Sequence, residues 1–398
     1  MKYAFKNGIV IDGTRTMEPK TGLVVLTEDT KIAAVISEDT AFDQDFEIID
    51  LNGQYIMPGL INIYGNLCGS GNPKKSMFPS FKKNDKKHRE RLSTALKSGI
   101  TTYMCADDFN DYVVNLRNEV NENRFMGPRM FVSGHSVSLD DTDENYAQEA
   151  VHRVRAVSER KPDFISLDIF DHESLSLKMG ADAIRSACLE AQDLNLSVIS
   201  KAENTDAVRV ALKNGIDAIV HGASQDMETL ALYKNNHAFI IPALSSLIPK
   251  AFFDKTLLKI TEIEQYNAKV VYDGAVDGLK TALENNIPIG IGTDAGNQYV
   301  THYNMWRELV YLSKALDMDN RHLLYLATSN NAQLLGMGNV AGTVKAGKFA
   351  DLLILRENPL ENLEALKTIS KIIVRGELVE NLNYKSFPKV DELLDKYM

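Results

Sequence analysis

The chain has 398 residues, 44% of them hydrophobic, and 44 Lys and Arg against 54 Asp and Glu give a net charge of −10. Nucleic acid is therefore not expected as a partner, because phosphate binding needs a basic surface, and the one basic run, Lys82 to Arg91, is typical of a solvated helix start. Neither a secretion signal nor a membrane span is evident, and the three cysteines lack metal-type spacing, so we expect a cytoplasmic protein with reduced thiols and no membrane partner.

Short strands joined by turns are predicted for residues 1–55, in segments such as KYAFKNGIVIDG. After them, short apolar runs rich in Val and Ile alternate with segments of helical period, as expected for strands buried on both faces. The runs are YIMPGLINIYGN, Gly99–Ala106, Arg129–Gly134, Asp163–Phe170, Leu196–Lys201, Ala218–Gly222, Phe239–Leu244 and Ile287–Ala295. This alternation predicts an α/β protein whose eight parallel strands close into a (β/α)8 TIM barrel.

The helical segment TDAVRVALKNG shows the expected end signals, since Asn204 or Thr205 is a suitable N-cap and Gly215 a suitable C-cap. Short strands are predicted again after the helical segments, as at the N-terminus, in GTVKAGKFADLLILRENP and KIIVRGELVEN. We therefore predict a small composite β-sandwich of residues 1–55 and 340–385, a barrel of residues 56–339, and a C-terminal tail of residues 386–398.

Several segments resemble the amidohydrolase superfamily, nearest to its branch of imidazolonepropionase-like and dipeptide-cleaving enzymes. The resemblance runs from Ile9 to about Glu380 and is carried by YIMPGLINIYGN, the stretch from GADAIRSACLEA to DAIVHG, GIGTDAG, and NNAQLLGMGNVAGTVKAGKFADLLIL. It implies a barrel enzyme that hydrolyses C–N bonds of amides or rings with one or two divalent metals at the carboxyl ends of the strands.

Most of the metal-ligand positions implied by this resemblance are substituted. The family pattern is His-x-His on strand one, a carboxylated Lys on strand four, one His each on strands five and six, and an Asp on strand eight. In that order, this chain carries Tyr64, Asn66, Ser166, Lys201, His221 and Asp294. Only His221 and Asp294 match, and catalytic zinc sites use three protein ligands. We therefore predict no metal cofactor; zinc or another divalent ion enters only if these assignments are wrong.

Lys201 has a structural and a functional interpretation. Without a metal, a buried Asp294 is costly, and a Lys201 ammonium would compensate it, with Tyr64, Asn66 and Ser166 completing the hydrogen bonds and no chemistry taking place. In the functional interpretation, Lys201 is a base or a Schiff-base nucleophile. Asp294 or His221 then carries a proton, while Tyr64 and Asn66 donate to an oxyanion. A third alternative has Lys201 carboxylated and serving as a metal ligand.

His302 lies on a loop after the last predicted strand and is a candidate for substrate contact. The histidines without partner spacing for a metal are interpreted as ordinary helix or loop positions: His88, His152, His172, His237 and His322. The predicted catalytic residues are Lys201, Asp294 and His221. The predicted substrate-binding residues are Tyr64, Asn66, Ser166 and His302.

The predicted function is that of a divergent hydrolase acting on a C–N bond, other than a peptide bond, in a small molecule. The bond class covers non-peptide amides, cyclic amides and dipeptide-like compounds, with Lys201 replacing the binuclear metal centre. The alternative is a non-catalytic relative that binds a small ligand or a partner in the barrel mouth. The resemblance also leaves a homo-oligomer open.

Overall fold

The computed structural model describes residues 1–73, 85–106, 112–139 and 145–398. The first part of the basic run, residues 82–84, lies outside these ranges, and the helix that follows begins at Asp85. Within the described ranges, no helix combines the length and the apolar character needed to cross a membrane.

The strands of the described residues are β1 (Lys2–Lys6), β2 (Ile9–Val10), β3 (Leu23–Glu28), β4 (Lys31–Ser37), β5 (Glu47–Asp50), β6 (Tyr55–Pro58), β7 (Leu60–Gly65), β8 (Ile100–Cys105), β9 (Arg129–Val132), β10 (Ile165–Leu167), β11 (Phe170–Asp171), β12 (Ser176–Leu177), β13 (Val198–Ala202), β14 (Ala218–His221), β15 (Phe239–Ile241), β16 (Leu352–Leu355), β17 (Ile369–Val374) and β18 (Glu377–Leu378).

The α-helices of the same residues are α1 (Asp85–Lys97), α2 (Tyr112–Asn121), α3 (Tyr146–Ser158), α4 (Ala181–Asp193), α5 (Thr205–Lys213), α6 (Met227–Asn236), α7 (Leu244–Phe252), α8 (Lys255–Leu258), α9 (Glu262–Glu284), α10 (Met305–Leu316), α11 (Asn320–Tyr325), α12 (Asn331–Leu334) and α13 (Pro388–Leu394). A π-helical turn, Leu326–Asn330, joins α11 to α12, and 3-10 turns occupy Leu363–Lys367 and Asp395–Tyr397.

The central strands are parallel and form two sheets, β7-β8-β9 and β10-β13-β14-β15. Isolated parallel bridges link Val137 to Leu167, Ile240 to Ile289, and Gly65 to Ala295. Inward-facing side chains of five of the strands meet in one buried cluster that contains Ile63, Met104, Ile199, Val220 and Ile241. The predicted α/β class is confirmed, with two parallel sheets that single bridges connect in the order expected of a barrel.

The predicted strand at Ile287–Ala295 is wrong as a continuous strand, because this segment forms only single bridges. The buried side chain of Asn331 replaces part of the ladder: its Nδ2 donates to the carbonyl oxygens of Ile61 at 2.6 Å and Ile291 at 2.9 Å. The carbonyl of Tyr64 accepts the amides of both Thr293 and Asp294. The segment is thus fixed against β7, although not by regular strand pairing.

Strands from the two chain ends pair with each other. β16 lies antiparallel to β6, and the resulting sheet has the order β18-β17-β16-β6-β2, while β4-β3-β1-β5 forms another sheet. Phe5, Val25 and Ile354 belong to one hydrophobic cluster shared by these sheets. β6 spans Tyr55–Pro58 and so continues past the predicted boundary at residue 55. The domain boundaries themselves stay predictions.

Candidate active site

The structure brings the three predicted catalytic residues together. Lys201 lies near the end of β13, His221 ends β14, and Asp294 lies near the end of the segment 287–295. The Lys201 Nζ donates to Asp294 Oδ2 at 3.0 Å, and His221 Nε2 lies 3.8 Å from the same oxygen. The ends of β13, β14 and the segment 287–295 therefore bring an amine, an imidazole and a carboxyl group to one point.

Two of these residues have backbone angles that are uncommon for side chains with a Cβ. The φ of His221 is 67° and that of Asp294 is 55°, both in the left-handed region. Such conformations cost of the order of 1 kcal/mol or more and cluster at functional sites. At Gly292, just before Asp294, an added Cβ would lie 2.5 Å from the Tyr64 Cβ, so the close approach of this segment requires glycine.

Glu203 is a site residue that the sequence analysis missed. It lies between β13 and Asn204, the N-cap of α5, whose side chain accepts the amide of Ala207 at 2.8 Å. The Glu203 side chain is 6% exposed, and its Oε1 lies 3.7 Å from His221 Nε2. An acidic residue directly after a buried strand and before a helix cap was the signal in the sequence that indicated this position.

His172, interpreted above as an ordinary position, also belongs to the site. It follows β11 in the hairpin that β11 and β12 form, and its Nδ1 lies 2.9 Å from Glu203 Oε1. The hairpin is fixed at a second point, because Asn204 Nδ2 donates to the Leu175 carbonyl at 2.8 Å. The start of α5 thus holds the hairpin, and with it His172, over the ends of β13 and β14.

The charges of the site follow from burial and from these contacts. Burial opposes ionisation of Glu203, but the hydrogen bond from His172 and the nearby positive charge of Lys201 lower the pKa of Glu203 to about 2. Burial lowers the pKa of His221 to about 4, although Glu203 and Asp294 oppose this shift. At neutral pH Glu203 is therefore an anion and His221 is a neutral imidazole.

The tautomer of neutral His221 follows from its hydrogen bond. Nδ1 of His221 lies 3.2 Å from the Pro242 carbonyl oxygen. Because a carbonyl oxygen can only accept, Nδ1 carries the hydrogen and Nε2 keeps the lone pair. The nitrogen that faces Glu203 and Asp294 is thus a hydrogen-bond acceptor.

These residues line a cavity of about 370 Å³. Its polar floor is made of His172, Lys201, Glu203, His221 and Asp294. Its apolar lining comes from α7, α8, α9 and the loops near them, through Leu247, Pro249, Leu258, Ile260, Ala268, Val271 and Tyr299. Polar side chains also line this part of the cavity, among them Ser246, Lys250, Glu264 and Asn267. A small molecule with both polar and apolar portions matches this lining.

Two of the predicted substrate-binding residues lie close to the end of β7. The Tyr64 ring centroid is 5.5 Å from Lys201 Nζ, and the side chain is buried beneath the site. Asn66 follows β7, and its Oδ1 accepts the amides of Cys68 and Gly69, each at 3.2 Å. The Asn66 oxygen therefore fixes the turn after β7.

The other two predicted substrate-binding residues are also buried. Ser166 Oγ lies 3.4 Å from Ser136 Oγ. His302 Nε2 lies 3.0 Å from the Gly69 carbonyl, and its Nδ1 lies 3.4 Å from the Tyr103 hydroxyl. The described residues that line the cavity do not include Tyr64, Asn66, Ser166 or His302. A substrate-binding role for these four stays a prediction.

Within the described ranges, no group of three or more His, Cys, Asp and Glu side chains is arranged to hold a metal ion. Lys201 lies beside Asp294, with its side chain 22% exposed against 3% for Asp294. The floor of the cavity therefore combines one buried ion pair with the His172–Glu203 contact.

Comparison with known proteins places these features in context. The model of the amidohydrolase family matches residues 55–379. A 5-methylthioadenosine/S-adenosylhomocysteine deaminase of Bacillus cytotoxicus is 22% identical over 389 residues, covering 89% of this chain and 85% of the relative. A dihydroorotase of Ruminiclostridium cellulolyticum is 23% identical, covering 93% of each chain. The crystal structure of a "putative prolidase" from Bifidobacterium longum superposes with a TM-score of 0.92 at 28% identity, covering 99% of this chain and 98% of the other.

Proposed function

The chain belongs to the amidohydrolase family, and from this premise we propose that it hydrolyses a carbon–nitrogen bond of a small molecule in the cavity above Lys201 and Asp294. The names of similar proteins support the reaction class, since deaminase, dihydroorotase and prolidase all denote hydrolysis of C–N bonds. We also infer that the parallel strands and their bridges close into a (β/α)8 barrel. The cavity then lies at the carboxyl ends of the strands, where barrel enzymes carry their sites.

The ion pair between Lys201 and Asp294 is the observation that carries this proposal. An ammonium offers donors and no lone pair, so Lys201 cannot act as a metal ligand in the form that pairs with Asp294 at 3.0 Å. The described residues therefore do not suit the two-metal centre that the family resemblance implies. We propose that the ammonium stands in place of a divalent cation.

The role of Lys201 follows from its pairing. Lys201 pairs with Asp294 as an ammonium, and an ammonium has no lone pair with which to act as a nucleophile. We therefore assign it to charge stabilisation: a substrate carbonyl in the cavity meets a positive group held in place before the reaction begins. Donors fixed in this way stabilise the oxyanion that forms when a nucleophile attacks the carbonyl.

Binding without turnover is the second candidate function. It is supported by the mutual neutralisation of Lys201 and Asp294, since a satisfied ion pair is also what a purely structural site would contain. The polar floor and apolar lining would then recognise the same class of ligand. Detection of a hydrolysis product excludes this alternative, whereas saturable binding without product supports it.

The test is a substrate screen with a matched pair of lysine variants. Purified protein is incubated with N-acyl amino acids, dipeptides, cyclic amides and ureas, and products are followed by mass spectrometry. We expect Lys201→Met to lower the rate by about 10²-fold or more, the effect of removing one oxyanion donor. Lys178→Met is the control, because Lys178 pairs with Asp168 and does not line the cavity.

Two results would overturn this proposal. One is the absence of product from every substrate class with the wild-type protein. The other is unchanged turnover in Lys201→Met. A metal analysis addresses the site separately: stoichiometric zinc, manganese or iron, with activity lost to a chelator and restored by the metal, would contradict the role of Lys201 as the resident cation.

A further inference from the structure

We propose that His172 and Glu203 form a catalytic dyad in which His172 is the general base that activates the attacking water. This inference rests on the proposed function and adds two residues that the family pattern described above does not contain. The cavity is lined by both side chains and by Lys201, so base and oxyanion stabiliser face the same space.

The hydrogen bond within the dyad fixes the tautomer of His172. Its Nδ1 lies 2.9 Å from Glu203 Oε1. An ionised carboxylate can only accept a hydrogen bond, so Nδ1 carries the hydrogen and the lone pair belongs to Nε2. A carboxylate that orients an imidazole in this way also stabilises the imidazolium formed when the ring takes a proton.

The two side chains differ in exposure in the way that this role requires. The Glu203 side chain is 6% exposed, and that of His172 is 35% exposed. The carboxylate is thus held away from solvent, while the imidazole remains accessible to water in the cavity. Phe170 packs against the His172 ring with centroids 5.7 Å apart and limits its orientation.

The hairpin that carries His172 has other attachments. β11 and β12 pair directly, and Asn204 Nδ2 donates to the Leu175 carbonyl. Asp171 also accepts hydrogen bonds from the Glu173 amide and the Ser174 hydroxyl. The hairpin therefore does not depend on the His172–Glu203 contact alone, which separates a catalytic role from a purely structural one.

The proposed step balances with water as the only co-reactant. As the water oxygen bonds to the substrate carbonyl carbon, the water proton passes to Nε2 of His172, and the oxyanion forms beside the Lys201 ammonium. The C–N bond then breaks, and His172 returns the proton to the leaving nitrogen. Such proton transfer by a positioned side chain contributes about 10²- to 10⁴-fold to the rate.

The experiment measures kcat, KM and folding stability for His172→Gln, Glu203→Gln and the double variant, on a substrate that the wild-type protein hydrolyses. We expect each single change to lower kcat by about 10²-fold or more. The double variant should be little worse than His172→Gln, because residues that act as a unit are not additive. Added imidazole should restore part of the activity of His172→Gly. His152→Gln is the control, since its side chain is 78% exposed on α3.

The outcomes separate this inference from the proposed function. If the wild type turns over and Lys201→Met does not, but His172→Gln keeps the wild-type kcat, the dyad is wrong and the hydrolase assignment stands. If no variant and no wild-type protein yields product, both fall. Nitrogen NMR of His172 gives a readout without substrate: a hydrogen on Nδ1 supports the dyad, and a hydrogen on Nε2 alone contradicts it.

Discussion

Two groups of strand ends carry the positions where the family pattern has metal ligands, and they differ in whether their side chains reach the cavity. The first group comprises the ends of β13, β14 and the segment 287–295, and the second comprises the ends of β7 and β10. The first group presents Lys201, His221 and Asp294 to the cavity, with two of these residues in left-handed backbone. The second group presents Asn66 and Ser166, which make internal contacts. The first group thus places ionisable side chains at the cavity, whereas Asn66 and Ser166 contact neighbouring backbone and side-chain atoms.

The difference has an electrostatic reason. A carboxylate as buried as Asp294 needs a nearby cation, and Lys201 supplies one at 3.0 Å. Neutral amide and hydroxyl groups need only hydrogen bonds, which the backbone near Asn66 provides. A substitution at Asn66 or Ser166 is therefore expected to disturb only hydrogen bonds, whereas a change at Lys201 or Asp294 alone removes the opposite charge beside the other.

The largest effect on stability is expected for Lys201→Met, which removes the cation beside Asp294. We expect the free energy of unfolding to fall by about 3 kcal/mol, because removing one partner of a buried pair strands the other charge. Lys201→Met combined with Asp294→Asn should recover most of this loss, since both charges are then absent. Urea unfolding measures both variants; an equal loss in the double variant would contradict the charge argument.

Acid stability compares two buried histidines, of which His221 lines the cavity and His302 does not. The pKa values of His221 and His302 are each lowered by burial to about 4, from an ordinary value of 6.5. The unfolded chain therefore binds more protons between these values, and stability falls as pH is lowered from about 6.5 to 4, by up to about 3 kcal/mol for each residue.

Asn substitutions at these two histidines separate stability from activity. His302→Asn and His221→Asn should each flatten the pH dependence of unfolding between about pH 6.5 and 4, because the titrating group is gone. Only His221→Asn should lower turnover, since His221 lines the cavity and His302 does not. Unfolding curves at several pH values and rates at neutral pH check this. A large loss of activity in His302→Asn would instead support its predicted substrate contact.

Asn66→Ala tests the hydrogen bonds of the turn after β7, and we expect a moderate loss of stability. The change leaves the amides of Cys68 and Gly69 without their acceptor, and we expect a loss of about 1 to 2 kcal/mol of stability. Asn66→Asp keeps an acceptor oxygen at this position and is the control. Thermal unfolding compares the two. If Asn66→Ala keeps its stability but loses turnover, Asn66 belongs to the reaction rather than to the turn.

Ser166→Ala should have the smallest effect. Its Oγ lies 3.4 Å from Ser136 Oγ, a long contact, and we expect a change in stability below about 1 kcal/mol. Turnover should stay near the wild-type value, because Ser166 does not line the cavity. The same measurement on Lys201→Met gives the contrast with a residue that lines the cavity.

The site could be predicted in part because its residues end elements that the sequence marks clearly. The apolar run before Lys201 and the cap at Asn204 are both present in the structure, as β13 and the N-cap of α5. His221 and Asp294 were found through the resemblance. His172 was missed because its contact with Glu203 depends on a hairpin folding back over β13, which no local pattern contains. Glu203 was missed although its place between a buried strand and a helix cap is a local signal.

By itself, the sequence determined the α/β class and the family, because strand runs, helix caps and motif residues depend on near neighbours along the chain. The pairing of Lys201 with Asp294 was one of several interpretations of the sequence, and it joins residues 93 positions apart. Tertiary structure decided which polar groups reach the cavity. It also replaced the predicted strand at Ile287–Ala295 by single bridges around the Asn331 amide. These outcomes depend on close packing between distant segments, where one buried amide or one hairpin determines where each side chain points.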